Sequence, residues 1–285
     1  MLAVRPRTLP VAAAGVITGS ALAWRDGFFR LDAALTCLLC ALLLQIGSNL
    51  ANDVFDFERG TDTPERLGPV RVTQAGLLTP SQVKASMTVV FTLAGVFGLY
   101  LAWLGGWPII LIGIAAILAA IAYTGGPFPL GYYGLGDLFV FIFFGLASVA
   151  GTYYVQAGFV APAAWWMTIP PGLIITAVLV VNNLRDLEND RKAGKRTLAV
   201  LLGERRTKAQ YLICMAGAYL VLPLAAALGV IPWLSLLTWA SLPLAIRTTR
   251  VVLTQRGRTL NAALAGTSQT ALLFSILFWI GLAVK

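Results

Sequence analysis

Residues 49–62 read NLANDVFDFERGTD and follow without a break on LTCLLCALLLQIGS at 35–48. The upstream run has the composition of the end of a membrane-spanning helix. The downstream run carries Asp53, Asp56, Glu58 and Asp62. Ionisable groups beside hydrocarbon are costly and mark functional sites. What these carboxylates do there decides how the chain is read.

The chain around them has 285 residues, 58% hydrophobic and only 12% charged. An average soluble domain is about 25% charged, so the composition predicts a polytopic membrane protein. About 20 apolar residues span a bilayer core. That rule predicts about nine helices, near 8–24, 31–50, 82–103, 106–123, 135–155, 163–183, 208–228, 231–246 and 260–283. Gly and Pro punctuate them, as in GGWP at 105–108 and GGPFPLG at 125–131. Arg5 and Arg7 precede the first run, but no small-residue cleavage site leads into a soluble domain, so this span is expected to be retained. The expected fold class is an all-α bundle, one transmembrane domain over 1–285. Its helices surround a central cavity, with cytoplasmic cap loops near 49–81 and 182–207.

The formal net charge is +9. With the N-terminus in the cytoplasm, every Lys and Arg except Arg25, Arg30 and Lys285 falls on the cytoplasmic side. The positive-inside rule accounts for that surplus, so no nucleic acid is needed to explain it. It supports the cytoplasmic N-terminus and an odd number of spans; the expected location is the plasma (inner) membrane, multi-pass. The acids cluster on the same side, all but Asp26 and Asp32. The rule does not govern acids, so their clustering points to a site at one face. The chain has no His, which excludes a His base, nucleophile or metal ligand. Cys37 and Cys40 form a CxxC inside an apolar helix, where packing is the expected role.

Asn49, Asp53 and Asp56 stand at i, i+4 and i+7, a spacing that shares one helical face. Asn182, Asp186 and Asp190 repeat the pattern at i, i+4 and i+8, with Asn183 beside Asn182. Two helices, the second and the sixth, thus leave the membrane with Asn and two Asp in a stripe, as an internal duplication would give. Four facing carboxylates repel without a counter-charge. Mg²⁺ supplies one, bound through one or two carboxylates, waters and phosphate oxygens. Paired Asp-rich helix ends are therefore expected to hold Mg²⁺ and a diphosphate, with Arg71, Lys195 and Arg196 neutralising the remaining phosphate oxygens. Glu58, Glu65 and Glu188 fall off the stripes and read as solvated loop charge. Asp62 is a candidate outer metal ligand.

With these motifs the chain resembles the UbiA superfamily of intramembrane aromatic prenyltransferases over essentially its whole length. The resemblance is carried by RPRTLPVAAAGVITGSALA (5–23), SNLANDVFDFERGTD (48–62), GPVRVTQAGLL (68–78), YTGGPFPLGYYGLGDLFVFIFFG (123–145) and NNLRDLENDRKAGKRTLAVLLG (182–203). It implies nine transmembrane helices and Mg²⁺-dependent transfer of a polyprenyl group from its diphosphate to an aromatic ring. Asp62 stands six residues after Asp56, unlike the four-residue spacing of ubiquinone-pathway members. GKRTLAV also favours the menaquinone-pathway branch. In that branch the acceptor, 1,4-dihydroxy-2-naphthoate, loses its carboxyl group and demethylmenaquinone results.

On this reading Asp53, Asp56, Asp186 and Asp190 bind two Mg²⁺ ions and are the catalytic residues. Asn49 and Asn182 supply neutral oxygens or hold metal-bound water. Arg71, Lys195 and Arg196 grip the diphosphate, and Arg5 is a further candidate. Aromatic faces stabilise an allyl cation, and Tyr123, Tyr153 and Tyr154 are the candidates, although Tyr also populates the interfacial belt of any membrane protein. Loss of CO₂ from the attacked carbon restores aromaticity, so the lack of His is compatible with the chemistry. The partners implied are a polyprenyl diphosphate, an aromatic acceptor and the lipid bilayer. The alternatives are 4-hydroxybenzoate or homogentisate as acceptor, a head-group transferase of the CDP-alcohol type, or a transporter. The second would carry its Asp in one extended motif, and the third near the midplane.

Overall fold

Lipid offers the backbone no hydrogen-bond partners, so apolar runs of this length must pair their amides internally, as helices. The computed structural model describes residues 3–61 and 67–284, and contains no strand among them. Asp62 and Glu65 lie outside the described residues. The helices are α1 (Leu9–Arg25), α2 (Leu31–Glu58), α3 (Pro80–Gly105), α4 (Trp107–Ala122), α5 (Gly136–Ala157), α6 (Pro162–Arg185), the short α7 (Leu187–Lys192), α8 (Leu198–Ala227), α9 (Leu242–Thr254) and α10 (Leu260–Ala283). Six of them, α2, α3, α5, α6, α8 and α10, are long and apolar enough to cross a membrane. The protein is a multi-pass membrane protein.

Three boundaries depart from the sequence expectation. α2 continues to Glu58, carrying both Asp53 and Asp56 on helical backbone. α8 begins at Leu198 and kinks at Gly203. The expected span 231–246 divides into a 3₁₀ stretch, Trp233–Ser241, and α9, which runs on to Thr254. Residues 247–254 read as a polar loop because of Arg247 and Arg250. Ala245, Thr248 and Val252 nonetheless recur at helical spacing and are buried, so one face holds the helix while the arginines stand outside it.

α1 packs on α2, α5 and α10. Its GVITG, Gly15 to Gly19, forms a GxxxG face, which lets helices approach closely. A Cβ on Gly19 would stand 2.5 Å from the Val149 carbonyl oxygen, and one on Gly15 would collide with Ser148 Oγ. The Phe141–Ala150 stretch of α5, against which these glycines lie, winds as a π-helix, a geometry enriched at functional sites. We expect Gly19→Val to part α1 from α5 and cost about 1–3 kcal/mol, read as a lower melting midpoint in detergent.

Buried side chains form one large core between α1, α5, α6, α8 and α10, including Tyr153, Tyr211, Phe274 and Phe278. A smaller core ties α2, α3 and α4 to α1 and α5 through Cys37, Cys40, Leu101 and Ile109. The space between the two cores is open. Outward-facing Trp103, Ile213 and Leu220 present the apolar surface that lipid requires.

Candidate active site

A cavity of about 580 Å³ fills that space, within the range of small-molecule sites. Its walls are apolar over most of their length, with Leu99, Ile110, Ile114, Ile117, Phe139, Phe143 and Val178. One end is polar and carries Arg5, Asn49, Asn52, Asp56, Arg71, Asn182, Asn183 and Lys195. Beyond that end lies a polar recess of about 40 Å³, lined by Asp56, Thr61, Arg71, Asn182, Asn183, Asp186, Asp190 and Lys195. The ends of α2 and α6 therefore meet at one place.

Local structure sets each group. On α2, at about 100° per residue, Asp56 lies about 20° to one side of Asn49 and Asn52 about 60° to that side. Asp53 lies about 40° to the other. The cavity takes the first flank, with Gln45, Asn49, Asn52 and Asp56. Asp53 turns instead under the loop that precedes α3. Its two carboxylate oxygens accept the backbone N–H groups of Thr73 and Val72, each at 3.0 Å. This loop carries Arg71, whose guanidinium donates to Asp56 Oδ2 at 2.8 Å. Both side chains are almost fully buried. Asp53, expected as a metal ligand, thus lines neither cavity and shapes the loop that delivers Arg71.

The second motif is built by a helix stop. α7 ends at Lys192, and Gly194 takes a left-handed φ of 71°, which Gly adopts without steric cost. The chain folds back so that the Lys195 N–H reaches the Asp190 carbonyl at 2.8 Å. The Lys195 ammonium then lies 3.8 Å from Asp56 Oδ1. Arg196, the next residue, is exposed and lines neither cavity. Asp186 faces the recess but is clasped by Arg185, Nε to Oδ1 at 2.9 Å and Nη2 to Oδ2 at 2.5 Å. Arg185 also donates to Asn182 Oδ1 at 2.9 Å and to Asn261 Oδ1 at 2.8 Å. Asn261 in turn donates to the Leu67 carbonyl at 2.9 Å. The last helix thereby ties the second acidic segment to the loop after the first.

Asn49 donates to the Val4 carbonyl and to Thr8 Oγ1, each at 3.1 Å, and so secures the segment before α1. Within it, Arg5 has φ 52°, the one positive φ outside glycine among the described residues. Such a residue costs about 1–3 kcal/mol. The Thr8 N–H and hydroxyl both bond the Arg5 carbonyl, at 2.9 and 3.0 Å, and hold it, with Arg5 facing the cavity.

Of the three tyrosines, only Tyr123 lines the cavity. Tyr153 is fully buried and donates to Asp26 at 2.7 Å, while Tyr154 packs beside Gly105 and Ile109. α5 begins near the acidic end, and at about 1.5 Å per residue Tyr153 lies about 25 Å further along it. Neither lines the cavity.

Four residues of the site were not read from the sequence as functional. Asn52 was hidden beside the more conspicuous Asp53. Arg185 entered only among the basic residues of the cytoplasmic side, although its side chain is 1% exposed. Asn261 carries no motif. Tyr132 donates to Asp56 Oδ1 at 2.8 Å; burial and then the Asp56 charge push its hydroxyl pKa upward, so it remains a donor.

Among the described residues, no group of three or more His, Cys, Asp or Glu converges to hold an ion on its own. Mg²⁺ commonly takes only one or two carboxylates, completing its shell with water and substrate phosphate. Asp56, Asp190 and the neighbouring Asn side chains fit that mode. An all-protein cage of four carboxylates is not formed among the described residues.

A chamber with apolar walls and one charged end thus lies among the long apolar helices. The chain matches the UbiA prenyltransferase family over residues 12–276 and belongs to that family; it is a prenyltransferase. It is 39% identical over 289 residues to the 1,4-dihydroxy-2-naphthoate octaprenyltransferase of Escherichia coli (strain K12), covering 98% of this chain and 93% of that protein. The protein of the same name from Mycobacterium tuberculosis is 42% identical over 257 residues, with 89% and 85% covered. In fold, a UbiA homolog from Aeropyrum pernix K1 superposes with a TM-score of 0.71 at 16% identity, covering 98% of this chain and 96% of that one. A UbiA homolog from Archaeoglobus fulgidus bound to DMAPP and Mg²⁺ does so at 0.66 and 14% identity, with 98% and 99% covered.

Proposed function

We propose that this prenyltransferase moves a polyprenyl group from its diphosphate to 1,4-dihydroxy-2-naphthoate, releasing CO₂ and diphosphate and yielding demethylmenaquinone, formed as its quinol. The observation that carries this reading is the chamber whose apolar walls end at Asp56, Arg71 and Lys195, with Asp190 in the polar recess beyond them. The names of the relatives supply the acceptor.

Asp56 and Asp190 are the proposed Mg²⁺ ligands, with Asn52, Asn182 and Asn183 as neutral oxygens nearby; Asp186, paired with Arg185, orients Asn182. Bound Mg²⁺, as two ions, would neutralise charge developing on the departing diphosphate. Arg71 and Lys195 add fixed positive charge at the same place, and Arg5 lines the same cavity. The allylic C–O bond breaks towards that charge. Tyr123, Phe139 and Phe143 offer ring faces to the resulting cation, and the apolar walls exclude water. The acceptor ring carbon then forms the new C–C bond. Its C–CO₂⁻ bond breaks and returns the electron pair to the ring, so no strong base is needed.

The whole chain forms one catalytic unit. The six long helices together with α1, α4 and the Trp233–Thr254 segment make nine crossings. The acidic recess and the N-terminus face the cytoplasm of the plasma membrane, as the distribution of Lys and Arg supports.

The test supplies purified protein with Mg²⁺, a polyprenyl diphosphate and equal amounts of dihydroxynaphthoate, 4-hydroxybenzoate and homogentisate. Mass spectrometry is expected to find the naphthalene product alone, lacking the carboxyl group. EDTA is expected to abolish its formation, and added Mg²⁺ to restore it. A product that keeps its carboxyl, or derives from another acceptor, refutes the proposal.

A further inference from the structure

Tyr132 ends the 3₁₀ turn Leu130–Tyr132 between α4 and α5 and so belongs to neither acidic motif. It touches both. Its hydroxyl donates to Asp56 Oδ1 at 2.8 Å and shares a hydrogen bond with Thr61 Oγ1 at 2.9 Å. The Lys195 ammonium stands 4.7 Å from its ring centroid, and the Arg59 guanidinium 5.4 Å. Its carbonyl accepts the Arg196 N–H at 3.1 Å. Arg59 is itself held by the carbonyls of Thr124 and Gly126.

Lys195 Nζ lies 3.8 Å from Asp56 Oδ1, with 16% and 4% of the two side chains exposed. That is beyond hydrogen-bond distance, although screening is weak at such burial and the charges attract. The ring gives the ammonium an alternative partner, since a cation over an aromatic face is held electrostatically. We propose that Tyr132 is a positioning residue whose ring holds Lys195 at ion-pair distance from Asp56 and short of a direct hydrogen bond, so that the carboxylate serves a divalent cation and the ammonium serves a phosphate oxygen. The inference rests on the reading of Asp56 and Lys195 given under Proposed function.

The test measures binding of inorganic pyrophosphate with Mg²⁺ to the purified full chain by calorimetry, which needs no turnover. Tyr132→Leu removes the ring and lets Lys195 close on Asp56; the Mg²⁺ concentration for half-maximal pyrophosphate binding should rise roughly 10-fold. Tyr132→Phe keeps the ring and should stay within roughly 2- to 3-fold of wild type. Fluorinated phenylalanines at position 132 preserve shape while draining the ring face of charge. They should weaken binding progressively, and they keep the test decisive if the Leu variant does not fold. A merely structural role would show no trend with fluorination. No trend, or equal effects of Phe and Leu, overturns the role of the ring. Asp56→Asn distinguishes the two levels of failure. If it binds Mg²⁺ and pyrophosphate as wild type does, the site reading fails and the Tyr132 inference falls with it. If Asp56→Asn is impaired while the ring variants match wild type, only the inference falls.

Discussion

Asp56→Asn is expected to lower prenyl transfer by roughly two to three orders of magnitude, the range seen when one electrostatic group is removed from a preorganised site. Asp56 is the residue on which the site converges. Arg71 reaches it at 2.8 Å, Tyr132 at 2.8 Å and Lys195 at 3.8 Å. It also lines both the chamber and the recess. Asn preserves the shape and removes the charge, leaving Arg71 and Lys195 to repel one another. The loss should persist at saturating prenyl diphosphate and be only partly offset by excess Mg²⁺. Initial rates over a Mg²⁺ series in detergent measure it, and a variant within threefold of wild type would falsify the assignment. Asp53→Asn makes the contrast. Its oxygens bond the N–H groups of Val72 and Thr73 rather than the recess. It is expected to loosen the Arg71 loop and raise KM for the prenyl diphosphate, leaving the Mg²⁺ midpoint in place.

Arg185→Leu is expected to cost about 3–5 kcal/mol of stability, the usual result of stripping one partner from a buried ion pair. The Arg185 side chain is 1% exposed and Asp186 only 13%. Its Nε, Nη1 and Nη2 serve Asp186, Asn261 and Asn182 together. Lys offers no fork and should not substitute. The double variant Arg185→Leu/Asp186→Leu removes the stranded charge as well and should regain part of the stability but none of the activity. Melting followed by tryptophan fluorescence in detergent reads both effects. An unchanged midpoint in the single variant would show that Asp186 finds water or another cation, and that the clasp contributes little.

The acidic helix ends illustrate how far a local pattern reaches. The i, i+4, i+7 stripe correctly placed Asn49 and Asp56 on one face. It included Asp53 because a span of about 60° looks like one face on a helical wheel. Which flank of the wheel meets the cavity depends on where α1 and the 70–78 loop pack, and no residue in 49–62 specifies that. Tyr153 and Tyr154 were chosen from the aromatic run at 152–156, and the structure places neither in the cavity lining. Tyr132, Arg185 and Asn261 act across sequence separations of 76 residues, as in Tyr132 to Asp56 and Arg185 to Asn261, and such pairings leave no periodic signal.

The amino-acid sequence by itself determined that this chain is a helical membrane protein with two acidic helix ends. Both follow from local physics, the need of apolar runs to pair their own amides in lipid and the cost of leaving carboxylates there without a function. Only the tertiary structure decided which carboxylate faces the chamber, which is spent on a loop, and which basic residue answers each. Those outcomes depend on how rigid helices rotate and close against one another, and many sequences sharing the same pattern could resolve that packing differently.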